Sequence, residues 1–335
     1  MAVKKNYDVP SDAEKLYAKH GGKFDDHEKK EIIKNAENID KKIEQLEKEK
    51  SSVKALSLNL ERDIISKTKV IQAMVKDLKK LKSGKPFFWN GVEFLEKEDP
   101  DVFFLQEIKG TPDKFSKFLT DNPDYQTFYN SAEKPGYAGT GVWIKKNIEY
   151  LICNIEFVDS FEGDPCSDEG RLSQIDCEIE GEKFSILGLY FPNGGKSPEA
   201  FADKLVFYDK FLDHVNALRA AGRQVIWTGD VNCAHEEIDI ARPKENKNSI
   251  GFLPVERNWV SRCVSEGWSD IFRVQNPDTV VYSWWHLISK ARARNVGWRI
   301  DYFFCDEGFL PRVKKIEYLN DQMGSDHCPV MVEIE

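Results

Sequence analysis

The feature that most constrains this chain is a set of short apolar runs, each ending in a polar or acidic side chain. Gln224-Val-Ile-Trp-Thr228 breaks at Gly229 and continues into Asp230, Val231 and Asn232. A run of this length, bounded by a turn signal, reads as a buried strand. In α/β folds the strand tips are where chemistry is placed. An Asp and an Asn two apart on a strand tip point to the same side. One can accept a proton or hold a water, and the other can donate to an anion. On their own the two are also ordinary turn residues, so the other tips decide. Val102-Phe-Phe-Leu-Gln-Glu107 ends in a carboxylate, and Phe184-Ser-Ile-Leu-Gly-Leu-Tyr190 leads into Pro192 and Asn193. Trp298-Arg-Ile-Asp301 puts a carboxylate into a strand, and Ser325-Asp326-His327 precedes the last apolar run. The carboxylates supply hard oxygen ligands suited to Mg²⁺, and the His, Tyr and Asn side chains suit a phosphate. Any one of these could be structural; five arriving together on strand edges point to a site.

Leu105-Gln-Glu-Ile-Lys109, Gly141-Val-Trp143, Glu169-Gly-Arg171, Tyr190-Phe-Pro-Asn193, Gly229-Asp-Val-Asn232, Asn295-Val-Gly-Trp-Arg-Ile-Asp301 and Ser325-Asp-His327 resemble the exonuclease III/AP endonuclease family. They occur in the family's order, and the resemblance covers residues 92–335. It implies an α/β fold, a four-layer sandwich of two packed mixed β-sheets flanked by helices. It also implies Mg²⁺-dependent cleavage of DNA 5′ to abasic sites, with Mn²⁺ as a substitute metal and 3′→5′ exonuclease activity as a companion. The partner implied is double-stranded DNA with abasic or 3′-blocked ends.

The resemblance also assigns roles. Glu107 is the metal ligand, joined by Asp230, Asn232 and Asp326; for Asp326 a second metal position and a bracing role stand level. Asp230 activates the attacking water and Asn232 donates to the phosphate. Asp301 orients His327 and favours its charged form. Tyr190 and Asn193 touch the scissile phosphate. Arg171 is a DNA contact or an internal ion pair. Lys196 is a further substrate contact. Asn246 and Lys247, with Lys244, lie in the loop that clamps the DNA backbone, and Trp284 and Trp298 line the abasic-sugar pocket. Two other readings remain: a weakened member acting as a DNA-binding scaffold, and another phosphodiesterase of the same superfamily.

The net charge of −9 looks wrong for a DNA binder until the chain is split. Residues 1–85 hold 21 basic and 15 acidic side chains, net +6, which leaves −15 for the rest. An acidic nuclease can still carry a basic groove, and a bound metal offsets part of the local field. The seven cysteines include no Cys-x-x-Cys pair. Reduced thiols in a cytoplasmic protein are expected. No apolar stretch is long enough to span a membrane, and the start lacks the apolar core of a secretory signal.

Residues 31–81 contain neither Gly nor Pro and fit a seven-residue frame. Twelve of its fifteen seam positions are apolar, from Ile32 and Ala36 to Leu78 and Leu81. A helical, coiled-coil-like N-terminal extension over residues 1–85 is therefore expected, ahead of a catalytic domain at 86–335. Its seam needs a partner, and self-association through this helix would supply one. Here the chain departs from the family, whose members open with a strand carrying an Asn that supports the metal and the catalytic Asp. The alternative match is a strand at Lys69-Val-Ile-Gln-Ala-Met-Val75 with Met74 in the Asn position. The same residues fit the heptad, and helix is the favoured reading. A helix is also expected at 111–121, and another at 197–221.

Overall fold

The computed structural model describes residues 68–74, 91–148, 152–287 and 289–335. Ahead of them it describes 34, 41, 42, 44–48 and 50, all helical. The chain divides into two compact units, Met1–Ser66 and Lys67–Glu335. The remainder of the expected N-terminal helix lies outside the described residues.

The second unit opens with a strand, β1 (Thr68–Met74). This corrects the helical reading of that stretch. Thr68–Gln72 pairs antiparallel with the last strand, β12 (Val330–Ile334), and Val70–Met74 pairs parallel with β2 (Val102–Gln106). A slot between two strands offers ladder partners on both sides. The apolar residues here suit a buried strand as well as a helix seam, so tertiary pairing decides. The first sheet is completed by β3 (Tyr125–Asn130), β4 (Thr140–Lys145) and β11 (Val313–Tyr318), in the order β11-β12-β1-β2-β4-β3. The second sheet contains β5 (Ile152–Val158), β6 (Leu172–Ile179), β7 (Glu182–Tyr190), β8 (Gln224–Asp230), β9 (Trp268–Asp270) and β10 (Asp301–Asp306). Its order is β5-β6-β7-β8-β10-β9.

Strand alternation sorts the side chains into layers. Val102 and Phe104 of β2, Ile186 of β7, Ile226 of β8 and Phe303 of β10 share the core between the sheets. Phe103 and Leu105 point the other way, onto Phe94 and Leu95 of α1 (Gly91–Glu98). Leu187, Trp227 and Phe304 pack on the far side against Phe207, Phe211 and Val215 of α2 (Pro198–Ala220) and Trp259 of α3 (Pro254–Ser265). The result is the expected helix–sheet–sheet–helix sandwich. The sheets touch closely at Gly188, where a Cβ would lie 2.2 Å from the Phe104 ring, so only glycine fits. The helix expected at 111–121 is broken: Pro112–Lys114 is a 3-10 turn, Phe115 is extended, and only Lys117–Thr120 is α-helical. Among the described residues no helix is long and apolar enough to cross a membrane.

The alternation that builds the inter-sheet core also builds the site. On β2, β7 and β8 the inward row ends in Gln106, Tyr190 and Asp230, and on β10 it begins with Asp301. These residues meet at one edge. Tyr190 and Asp301 are both direct register partners of Asp230. Thr140, the partner of Gln106 on β4, extends the polar edge through a 2.9 Å contact to Ser173 of the other sheet.

Candidate active site

Three contacts define the centre. Tyr190 donates from Oη to Glu107 Oε1 at 3.0 Å, across the two sheets. The Asp230 backbone N–H donates to Gln106 Oε1 at 3.2 Å, also across the sheets. His327 Nδ1 lies 2.7 Å from Asp301 Oδ2. Glu107, directly after β2, has φ +54°, in the left-handed region that few non-glycine residues adopt. Asn232 also has a positive φ, +54°, which Asn tolerates better than most residues. Its backbone N–H donates to Asp230 Oδ1 at 2.8 Å. Asp230 and Asn232 therefore meet through a turn, not through strand alternation.

One asparagine amide holds the other, which is itself held by the backbone. Asn193 Nδ2 donates to Asn232 Oδ1 at 2.8 Å, and Asn232 Nδ2 donates to the Phe191 carbonyl at 2.9 Å. An amide nitrogen carries two N–H groups, and these bonds use one from each side chain.

Asp301 is held by its surroundings. Ser283 Oγ accepts from the backbone N–H groups of Ile300 and Asp301, both at 3.0 Å, and Tyr318 Oη donates to the Asp301 carbonyl at 2.7 Å. Burial works against a charge on His327. Asp301, beside it and hydrogen-bonded to it, outweighs that, with help from Asp230 and Asp326, and pushes the imidazole up to about 9. These acidic neighbours favour the charged ring at neutral pH. Burial raises the Asp230 carboxyl above the usual carboxylate range; His327 opposes the rise, while Asp301 and Glu107 add to it. A raised carboxylate is suited to taking a proton near neutrality. Burial, with Glu107 and Asp230 close by, also holds the Tyr190 phenol firmly protonated.

Trp284 and Trp298 stand beside this centre. Their rings meet edge to face, centroids 6.1 Å apart, and Trp284 lies 6.4 Å from the His327 ring. Trp284 Nε1 donates to Asp326 Oδ2 at 3.3 Å. Both tryptophans are half-buried, packed on Ile240, Phe252 and Ile300.

Arg171 is buried and turned inward, its Nε on Glu169 at 2.6 Å and its NH1 on the Tyr190 carbonyl at 2.8 Å. Its guanidinium also stacks 4.8 Å from the Tyr190 ring. Of its two readings, the structure shows the internal ion pair. Asn246 spends its amide on the Ala241 and Arg242 carbonyls. Lys196, Lys244 and Lys247 are exposed. Two positioning groups were missed in the sequence: Gln106 and Ser283. Gln106 was legible, because it shares the inward row of Val102 and Phe104; Ser283 gave no signal.

Among the described residues no three His, Cys, Asp or Glu side chains are grouped to cage a metal. Mg²⁺ does not require a cage, since it keeps several waters and is held by one or two carboxylates plus phosphate oxygens. Glu107 fits that use. Its Oε2 is buried without an aligned hydrogen bond and carries the Lys109 ammonium as an ion pair, so the position already draws a cation. Asp230, Asn232 and Asp326 offer further hard oxygen donors, although Trp284 already takes one oxygen of Asp326.

The sequence profile described as the Endonuclease/Exonuclease/phosphatase family matches residues 92–327. An exodeoxyribonuclease of Bacillus subtilis (strain 168) is 34% identical over 240 residues, 71% of this chain and 90% of that protein. Recombination repair protein 1 of Drosophila melanogaster is 34% identical over 247 residues; these are 72% of this chain but only 34% of that longer protein. Among solved structures, an AP endonuclease from Leishmania major superposes with a TM-score of 0.70 at 25% identity, covering 80% of this chain and 88% of that one.

Proposed function

The chain belongs to the endonuclease/exonuclease/phosphatase family, in its exonuclease III/AP endonuclease branch, and from that premise we propose that it is a DNA-repair phosphodiesterase. The proposed reaction is cleavage of duplex DNA 5′ to an abasic site, with 3′→5′ removal of nucleotides or blocking groups from 3′ ends as a second activity. The observation that carries this reading is the hydrogen-bonded His327–Asp301 pair set beside Asp230, with Asp301 and Asp230 directly paired on neighbouring strands; the acidic surroundings of His327 favour a charged ring. The seven free thiols suit a reducing cytoplasm.

Each residue then has a task. Asp230 takes the proton of the attacking water. His327, held charged by Asp301, binds a non-bridging phosphate oxygen. The second N–H groups of Asn193 and Asn232 bind phosphate oxygens from the same loops. Tyr190 keeps its proton and fixes Glu107. Glu107, with Asp230, Asn232 and Asp326 near it, would hold Mg²⁺ or, as a substitute, Mn²⁺. Once bound, such an ion would supply positive charge against the phosphate and the departing 3′ oxygen. Trp284 and Trp298 offer an apolar wall for a base-less sugar, whose extrusion costs little unstacking.

Met74 stands where the resemblance expects an Asn, and in the sheet it pairs with Gln106, next to Glu107. Asp230 is nonetheless braced by Gln106 and by the Asn232 N–H. That favours a working enzyme over a scaffold. The metal reading is tested by Glu107→Gln, which keeps the shape and removes the charge. We expect incision to fall about 10²–10³-fold, as when a stabiliser of transition-state charge is removed. Half-maximal Mg²⁺ should rise, and DNA affinity in EDTA should be retained. Full activity of the variant, or of the wild type in EDTA, would rule the metal site out.

A further inference from the structure

Beneath the two asparagines lies a charge pair that the reaction above does not use. Lys204 of α2 and Glu256 of α3 are both 0% exposed. The Lys204 ammonium has three N–H donors and three oxygen partners: Asn232 carbonyl at 2.9 Å, Asn193 carbonyl at 3.3 Å and Glu256 Oε1 at 2.5 Å. The Glu256 carboxylate is equally occupied. It accepts from the Gly251 N–H at 2.9 and 2.7 Å and from the Leu253 N–H at 3.1 Å. Gly251 in turn lies under Trp298, where a Cβ would sit 3.0 Å from the indole ring. One buried ion pair thus ties together the loop after β7, the loop after β8 and the loop beneath the tryptophan pocket.

A buried pair is a weak source of net stability, because desolvation of both ions offsets their attraction. Its partners suggest a different use. The carbonyls it grips belong to Asn193 and Asn232, whose side chains face the substrate and bond each other. We infer that Lys204 and Glu256 are positioning residues, which fix the backbones of Asn193 and Asn232 from below and so aim their free N–H groups at the phosphate. This inference rests on the phosphodiesterase reading.

Removing one ion alone strands the other, so the test neutralises both. Lys204→Met with Glu256→Gln keeps the volume of each side chain. The full-length double variant is compared with wild type for melting temperature, Kd for an abasic duplex in EDTA, and kcat and KM with Mg²⁺. We expect a folded protein with kcat lower by about 10–100-fold, the usual effect of losing a supporting contact at such a site. KM and Kd should stay within about twofold. In a background lacking both amides, Asn193→Ala with Asn232→Ala, the same double change should cost no more than about twofold, because residues that act only through those groups are not additive with them. A general packing defect would instead subtract its full effect in both backgrounds. If the double variant does not fold, Glu256→Asp, which keeps both charges but draws the carboxylate back from Lys204, is read by the same two comparisons. Wild-type kcat in a folded variant, or full additivity with the Asn193→Ala, Asn232→Ala pair, would overturn the inference while leaving the phosphodiesterase reading intact. An inert wild-type enzyme would instead refute that reading, and the inference with it.

Discussion

Asp230→Asn is expected to lower the rate of incision by roughly 10²–10⁴-fold, the range for a positioned proton acceptor, while leaving DNA binding nearly unchanged. The substitution is well matched to the site. An Asn at this position fills the same volume and still offers an oxygen to the Asn232 N–H, which now lies 2.8 Å from Oδ1. Its backbone N–H still reaches Gln106. What disappears is the negative charge, and with it the capacity to take a proton; saturating metal offsets any loss of metal affinity. Single-turnover rates at saturating Mg²⁺, with Kd measured in EDTA, separate the two effects. A loss smaller than about tenfold would mean that another group activates the water.

The second large effect concerns the His327–Asp301 pair. His327→Ala should cost about 10²–10³-fold in kcat, as for loss of one charged donor to a developing oxyanion. Combined with Asp230→Asn it should cost far less than the product of the two losses, since both act on one phosphate. The pair also sets a pH limit. His327 is useful as a cation, and Asp301 and its acidic neighbours push the ring up to about 9 against the cost of burial. Activity should therefore fall as pH rises through about 9, and on the acid side it should fall where the raised Asp230 carboxyl takes up its proton. Asp301→Asn removes the chief group favouring the charge, so the alkaline limb should move to lower pH. A profile of kcat/KM against pH for the two proteins checks the sign. An unmoved limb would place the titrating group elsewhere.

Much of this site was legible in the sequence because strand tips carry a simple code. An inward apolar row that ends in Asp, Tyr or Gln announces a polar edge, and the alternation of β7, β8 and β10 shows why Tyr190, Asp230 and Asp301 meet. Other parts followed different physics. Thr68–Met74 has apolar residues that satisfy both a heptad and a buried strand, and only the ladders to β2 and β12 choose between them. Asp230 and Asn232 meet through a left-handed turn that no periodicity encodes. Arg171 has the composition of a DNA contact, and its inward turn depends on Glu169 and the Tyr190 ring. Lys204 and Glu256 gave no signal, because a single Lys or Glu in a helix normally marks a solvated face. Their burial is a product of how two helices meet over the strand ends.

The central claim is metal-dependent cleavage directed by an abasic site, and nicking of covalently closed duplex DNA tests it most directly, because a closed circle offers no ends to an exonuclease. The substrates are a plasmid carrying sparse abasic sites and the same plasmid undamaged, each with Mg²⁺ and with EDTA. The account predicts nicks only in the damaged plasmid with Mg²⁺, each placed 5′ to the abasic sugar and leaving a 3′ hydroxyl. Equal nicking in EDTA, equal nicking of the undamaged plasmid, or none in any arm would contradict it.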